Sequence, residues 1–183
     1  MASSSAWFPA MRRYLTAIAV GNLAWEATQM PLYTLWRTGS TRDIAFAVVH
    51  CTGGDVLIAE AALVGSLLLL GGADWPRSHF LRVGGTAIVS GLAYTTYSEH
   101  LNTARSAWTY SELMPTLPWL GTGLAPLAQW VIVPALAFKA IGSPLWSRAG
   151  RHIAVPEFVP PTMRSTTSPP AADQPARPFR RAA

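Results

Sequence analysis

The chain is poor in charge. Only 13% of its 183 residues are Asp, Glu, Lys or Arg, against roughly 25% in soluble domains, which excludes an ordinary wetted surface over most of it. Cysteine is scarcer still. Cys51 stands alone, which excludes an intramolecular disulfide, a CxxC pair and a Cys/His zinc or iron–sulfur cluster, and leaves the redox compartment undetermined. A nucleic-acid-binding face is missing too. The formal charge is +5, but Arg148, Arg151, Arg164, Arg177, Arg180 and Arg181 all lie beyond the last apolar segment, where positive charge reads as membrane topology and contact with anionic lipid. The expected partner is the lipid bilayer, with no nucleic acid.

What the chain has is apolar length: 50% of it is hydrophobic, and a membrane-crossing helix takes about 20 largely apolar residues. Four segments qualify, at residues 14–36, 44–70, 80–100 and 117–141. The first follows Arg12 and Arg13 and is interrupted by Asn22, Glu26 and Gln29; a cleaved signal peptide has a short unbroken apolar core instead. The second ends in Leu67 to Leu70, stopped by Gly71 and Gly72. The third is less apolar, with Ser90, Tyr94 and Tyr97 inside it. The fourth contains Pro118, Pro126 and Pro134 and is expected to kink, which membrane helices tolerate when neighbours re-satisfy the freed carbonyls.

Residues 101–116 carry Arg105, Trp108, Tyr110 and Glu112. Trp and Tyr favour the headgroup region, so a short surface helix is expected between the third and fourth spans. Beyond Trp146, residues 147–183 are rich in Pro, Ser, Thr, Ala and Arg without apolar periodicity, a composition that does not repay ordering entropy. The fold expected is all-α: a polytopic four-helix transmembrane domain over residues 1–146, followed by a disordered basic tail.

Lys and Arg near the spans set the orientation. One side collects Arg12, Arg13, Arg77, Arg82, Lys139, Arg148 and Arg151; the other collects Arg37, Arg42 and Arg105. Both termini are therefore expected in the cytoplasm.

The costly residues are polar ones inside the spans. Asn22, Glu26, Gln29 and Tyr33 follow the i, i+4, i+7, i+11 spacing of one helix face, and a carboxylate within the bilayer is a functional-site hypothesis by default. The second span adds His50, Cys51, Gly53, Gly54, Asp55 and Glu60. Asp55 points about 140° away from His50 on a helix, so His50, Gly53, Gly54, Leu57 and Ala61 are the expected inner face, small residues allowing close approach. His50 and Asp55 also have the His-x4-Asp spacing of glycerolipid acyltransferases, but none of that family's further blocks surrounds them. In the third span Ser90, Tyr94 and Tyr97 share a face, with Glu99 and His100 at its end.

Threaded through the topology, these residues converge on the outer half of the bundle. Glu26, His50, Asp55 and Tyr94 are the candidate catalytic groups of an acid/base or metal-dependent site acting on a membrane-borne substrate. Glu26, His50, Glu99 and His100 are the candidate ligands of a divalent transition metal. His50 and His100 are the pair for a b-type haem, which ranks lower because His100 stands at its helix end. The reading of another class is a non-enzymatic subunit or assembly factor, with other membrane proteins or further copies of the chain as partners.

Tyr97-Ser98-Glu99, Tyr110 to Pro115, Gly121 to Leu124, Trp25-Glu26 and His50-x3-Gly54-Asp55 together resemble uncharacterised small four-helix membrane proteins of proteobacteria. The resemblance covers most of the apolar part, implies a bacterial inner membrane, and lends no activity.

Overall fold

Local chemistry sets the helix boundaries. The computed structural model describes residues 4–142, and these are helical, without strands. Helix α1, Ser4–Gln29, stops before Pro31, which lacks the N–H that would continue it, and Met30–Leu32 closes as a 3-10 turn. A single turn, α2 (Leu35–Thr38), leads into α3, Thr41–Leu70. A reciprocal cap opens α3: Ser40 Oγ accepts from the Asp43 N–H at 3.3 Å, and the Asp43 carboxylate accepts from the Ser40 N–H at 3.0 Å. Its end is Gly71, whose N–H reaches the Leu67 carbonyl at 2.9 Å. Helix α4 is Phe80–Ala104 and α5 is Leu124–Gly142.

Several boundaries differ from expectation, the largest differences being these. The first long helix begins at Ser4 instead of residue 14 and ends at Gln29 instead of 36, because helix extends past the apolar segment at one end and Pro31 cuts it at the other. The short helix expected between the third and fourth long helices does not form; residues 105–123 are irregular, with Ser106 and Gly121 at positive φ, and the short helix is α2 instead. The last long helix starts at Leu124, not 117. The Pro118 stretch closes a turn in which the Leu117 carbonyl accepts from the Gly121 N–H at 2.9 Å and its N–H donates to Thr122 at 2.9 Å. Pro126 therefore falls in the first turn of α5, where a missing N–H costs little, and only Pro134 is interior. The tail expected over residues 147–183 lies outside the described residues.

The four long helices alternate in direction, with α1 and α4 each packed against both α3 and α5. At the end closed by the 71–79 connection the interior is apolar and filled. Tyr14, Ile18, Ala59, Leu63, Val83, Val133 and Phe138 are buried there. Trp75 is wholly buried with Trp7 edge-on at 5.5 Å, and Phe138 meets Tyr14 at 4.9 Å and Phe80 at 5.8 Å. Small residues set the helix spacing. A Cβ at Gly91 of α4 would lie 2.3 Å from the Trp130 ring of α5.

Among the described residues two helices are long and apolar enough to cross a membrane: α3, with mean hydropathy 1.8, and α5, with 1.6. Helices α1 and α4, interrupted by polar residues, fall below that measure.

Candidate functional site

One face of α1 builds the site. Its buried positions are Ala10, Tyr14, Ile18, Asn22, Glu26 and Gln29, a single stripe that is apolar over its first half and polar over its second. Opposite the polar half, α5 presents Gln129, 2% exposed, and α3 presents Asp55. Gln129 Nε2 lies 3.0 Å from Asn22 Oδ1, 2.9 Å from Glu26 Oε1 and 2.9 Å from Asp55 Oδ2. Gln29 Nε2 donates to Glu26 Oε1 at 2.8 Å and lies 3.3 Å from Gln129 Oε1, while the Trp25 indole holds Gln29 Oε1 at 3.2 Å. An amide nitrogen has two protons, so three acceptors around Gln129 Nε2 oversubscribe it. Glu26 Oε1 and Asp55 Oδ2 share this one nitrogen, which brings the two carboxyls side by side.

A second carboxyl anchor closes the same end. The Tyr110 hydroxyl donates to Glu99 Oε2 on α4 and accepts from the Gly123 N–H at 3.1 Å, joining the end of α4 to the start of α5. The loop carrying Tyr110 is pinned across residues 32–34: Thr34 N–H donates to the Thr109 carbonyl at 3.0 Å and Ser111 N–H to Leu32 at 2.9 Å, with the Tyr33 and Tyr110 rings 5.6 Å apart. Burial, then the hydrogen bond to Glu99, pushes the Tyr110 hydroxyl above the usual phenol range; burial, then the nearby Glu99 charge, does the same to Tyr33. Both stay protonated and available as donors. The Trp108 indole N–H lies beside Glu99 but makes no well-formed hydrogen bond to it or to any other group, although it is buried.

Between these two anchors is a cavity of about 760 Å³. Glu26, Asp55, Glu99 and Gln129 line it together with His50, Tyr94, Trp108 and Trp130. Its rim carries Phe46, 68% exposed and stacked on His50 at 5.4 Å, and Tyr94, 51% exposed. The opening therefore faces sideways, between α3 and α4.

Five expected residues meet here: Glu26, His50, Asp55, Tyr94 and Glu99. His100 does not. It is exposed on α4 and outside the cavity lining, so the pair His50 and His100 does not bracket a haem-sized space. The ligand set Glu26, His50, Glu99 and His100 is not assembled either; among the described residues no group of three or more His, Cys, Asp or Glu side chains is placed to hold a metal ion.

The inner face expected for α3 is also corrected. Gly53, Leu57 and Ala61 are exposed, and a Cβ at Gly53 or Gly54 would meet nothing within 4 Å. The packed face runs through Ala59, Leu63, Ser66 and Leu67, and Asp55 lies on its side of the helix, held by Gln129. Sequence reasoning missed Gln129 itself. Its signal was available: a lone amide in the apolar run from Leu124 to Ile141 needs a partner in the same way as a buried carboxylate.

Comparison with known proteins finds no family model, curated protein or solved structure that matches this chain.

Proposed function

We propose that the chain is an integral membrane protein whose four long helices all cross the bilayer, and that the cavity between them binds a small membrane-borne substrate against an acid/base carboxyl pair, Glu26 and Asp55. The observation that carries this reading is the cavity itself, with a buried carboxyl–amide network as its floor. Two carboxyls that share one amide donor, one of them protonated, can pass a proton to a bound group and take it back, the behaviour required of a general acid and base. His50 and Tyr94 stand at the rim, where they would meet the substrate on its way in.

The distribution of charge supports four spans, including the two less apolar helices. Arg12, Arg13, Arg77, Arg82 and Lys139 lie toward one end of the bundle and Arg37, Arg42 and Arg105 at the other, with no Lys or Arg between them among the described residues. Apolar side chains face outward on every long helix: Leu23 on α1, Leu57 on α3, Val89 on α4 and Ile132 on α5 are all exposed, as lipid-facing positions are. The excess of positive charge at the Trp75 end supports a cytoplasmic location for that end, and with it a cavity in the outer half of a bacterial inner membrane.

Cys51 lines the cavity and is the only thiol in the chain. A membrane-impermeant thiol reagent added to intact spheroplasts is expected to label it. Labelling only after lysis would overturn the orientation; labelling only after denaturation would overturn the open cavity.

One observation favours a second reading, an interaction subunit. Glu60 is exposed midway along α3, on the same outward side as Gly53, Leu57 and Val64, and a carboxyl facing lipid there is costly. A neighbouring helix would relieve that cost. Crosslinking through a cysteine at position 57 in a Cys51→Ser background tests it; a chain that stays monomeric at all reagent concentrations, with no captured partner, would exclude it.

A further inference from the structure

The chemistry of the cavity wall selects the kind of ligand. We infer that the cavity binds an organic cation, an amine or quaternary ammonium with an apolar body, delivered sideways from the lipid. This rests on the membrane-embedded cavity proposed above and adds the charge and character of its occupant.

Four carboxyl groups line the same space: Glu26, Asp55 and Glu99 from within α1, α3 and α4, and Asp43 from the first turn of α3. No Lys or Arg among the described residues lines it. The only basic lining group is His50, on the exposed rim. The amides that hold Glu26 and Asp55 supply hydrogen bonds and no positive charge, and Tyr110 does the same for Glu99. The cavity therefore has acidic groups from three helices and no built-in counter-charge, in surroundings where an anion would be repelled and a cation drawn in.

The remaining wall is aromatic. Phe46, Tyr94 and Trp130 line the same space, and ring faces attract ammonium groups, most strongly where water is excluded. A volume of about 760 Å³ falls within the range of roughly 300–1,000 Å³ found for sites that take drug-sized ligands. The wall also holds one unused donor. The buried Trp108 N–H forms no hydrogen bond although Glu99 lies beside it, so it is open to an oxygen or nitrogen acceptor on the ligand. Exposed apolar rings at the rim, Phe46 and Tyr94, suit a ligand that partitions into lipid before it binds.

The test uses two probes of nearly the same shape and opposite charge, tetraphenylphosphonium and tetraphenylborate, with the full chain in lipid nanodiscs. Saturable binding of the phosphonium by equilibrium dialysis is expected, at least tenfold tighter than the borate, with protection of Cys51 from alkylation in the same concentration range. Asp55→Asn and Glu99→Gln should each weaken phosphonium binding at least fivefold while Cys51 of the empty protein is still labelled without denaturant, which shows that the cavity still forms. Equal binding of the two probes, or binding by neither, would overturn the inference. Normal Cys51 labelling in that case would leave the open cavity standing, so the two readings fail separately. A variant that loses its Cys51 labelling is set aside, and the wild-type comparison of the two probes decides alone.

Discussion

Replacing Gln129 by Leu removes the one side chain that touches Asn22, Glu26 and Asp55 together while keeping its approximate volume. Two protons on Nε2 allow at most two donated bonds at once, and Oε1 accepts one more from Gln29. Three bonds are therefore at stake. Polar contacts between membrane helices average about 0.6 kcal/mol, and hydrogen bonds in soluble proteins reach about 1.5 kcal/mol, which brackets the loss at roughly 2–4.5 kcal/mol. Water in the adjoining cavity can satisfy part of what is stranded, so the expected value lies toward the lower end, about 2 kcal/mol. Unfolding in mixed dodecyl maltoside and SDS micelles, followed by far-ultraviolet circular dichroism, measures it, with Asn22→Leu expected to cost much less because Glu26 and Asp55 remain to take both Nε2 protons. A Gln129→Leu variant within about 0.5 kcal/mol of wild type, the scatter of ordinary surface substitutions, would refute the claim that this amide organises the site.

Tyr110→Phe removes both the donor to Glu99 and the acceptor for the Gly123 N–H; hydrogen exchange should quicken across residues 105–123 while the interior of α3 is unchanged, and the cost should be about 1–3 kcal/mol for groups left unpaired. Gly91→Ala places a methyl group against the Trp130 ring and should destabilise by about 1–3 kcal/mol through overpacking, with a visible drop in thermal midpoint in detergent. Gly85→Ala on the same helix meets open space and serves as the neutral comparison.

The sequence disclosed the helices more readily than their ends. Apolar length finds spans, but α1 runs back to Ser4 because helical hydrogen bonding does not stop where hydropathy falls. The Ser40-x-x-Asp43 cap and Pro31 are local signals that a reading by apolar length passes over, and they set the start of α3 and the end of α1. The irregular 105–123 loop was harder, because its aromatic residues suggest an interfacial helix, whereas their bonds run to residues 32–34, to Glu99 and to Gly123. In the site, the stripe of Asn22, Glu26 and Gln29 followed from spacing alone. Asp55 was turned outward by an angular argument anchored on His50. That anchor failed because a cavity open at its side is lined by residues on more than one face of α3, so His50 at the rim and Asp55 at the floor both reach it.

The two halves of the bundle answer to different demands, and this yields a contrast with the single Gln129 substitution. The α1 face that packs as Ala10, Tyr14 and Ile18 has no folding reason to become Asn22, Glu26 and Gln29 one turn further on, since apolar residues would continue the same contacts. Removing one member of a buried polar network strands the others, whereas replacing the whole network with apolar groups of similar size is neutral or stabilising. The combined variant Asn22→Leu, Glu26→Leu, Gln29→Leu, Asp55→Leu and Gln129→Leu is therefore expected to be at least as stable as wild type, although Gln129→Leu alone loses about 2 kcal/mol. It should also lose phosphonium binding. A combined variant whose destabilisation equals the sum of its parts would mean that these side chains hold the helices together, and the case for a ligand at this site would lose its energetic argument. Stability in the combined variant together with loss of binding would mean that the polar half is maintained for what it holds.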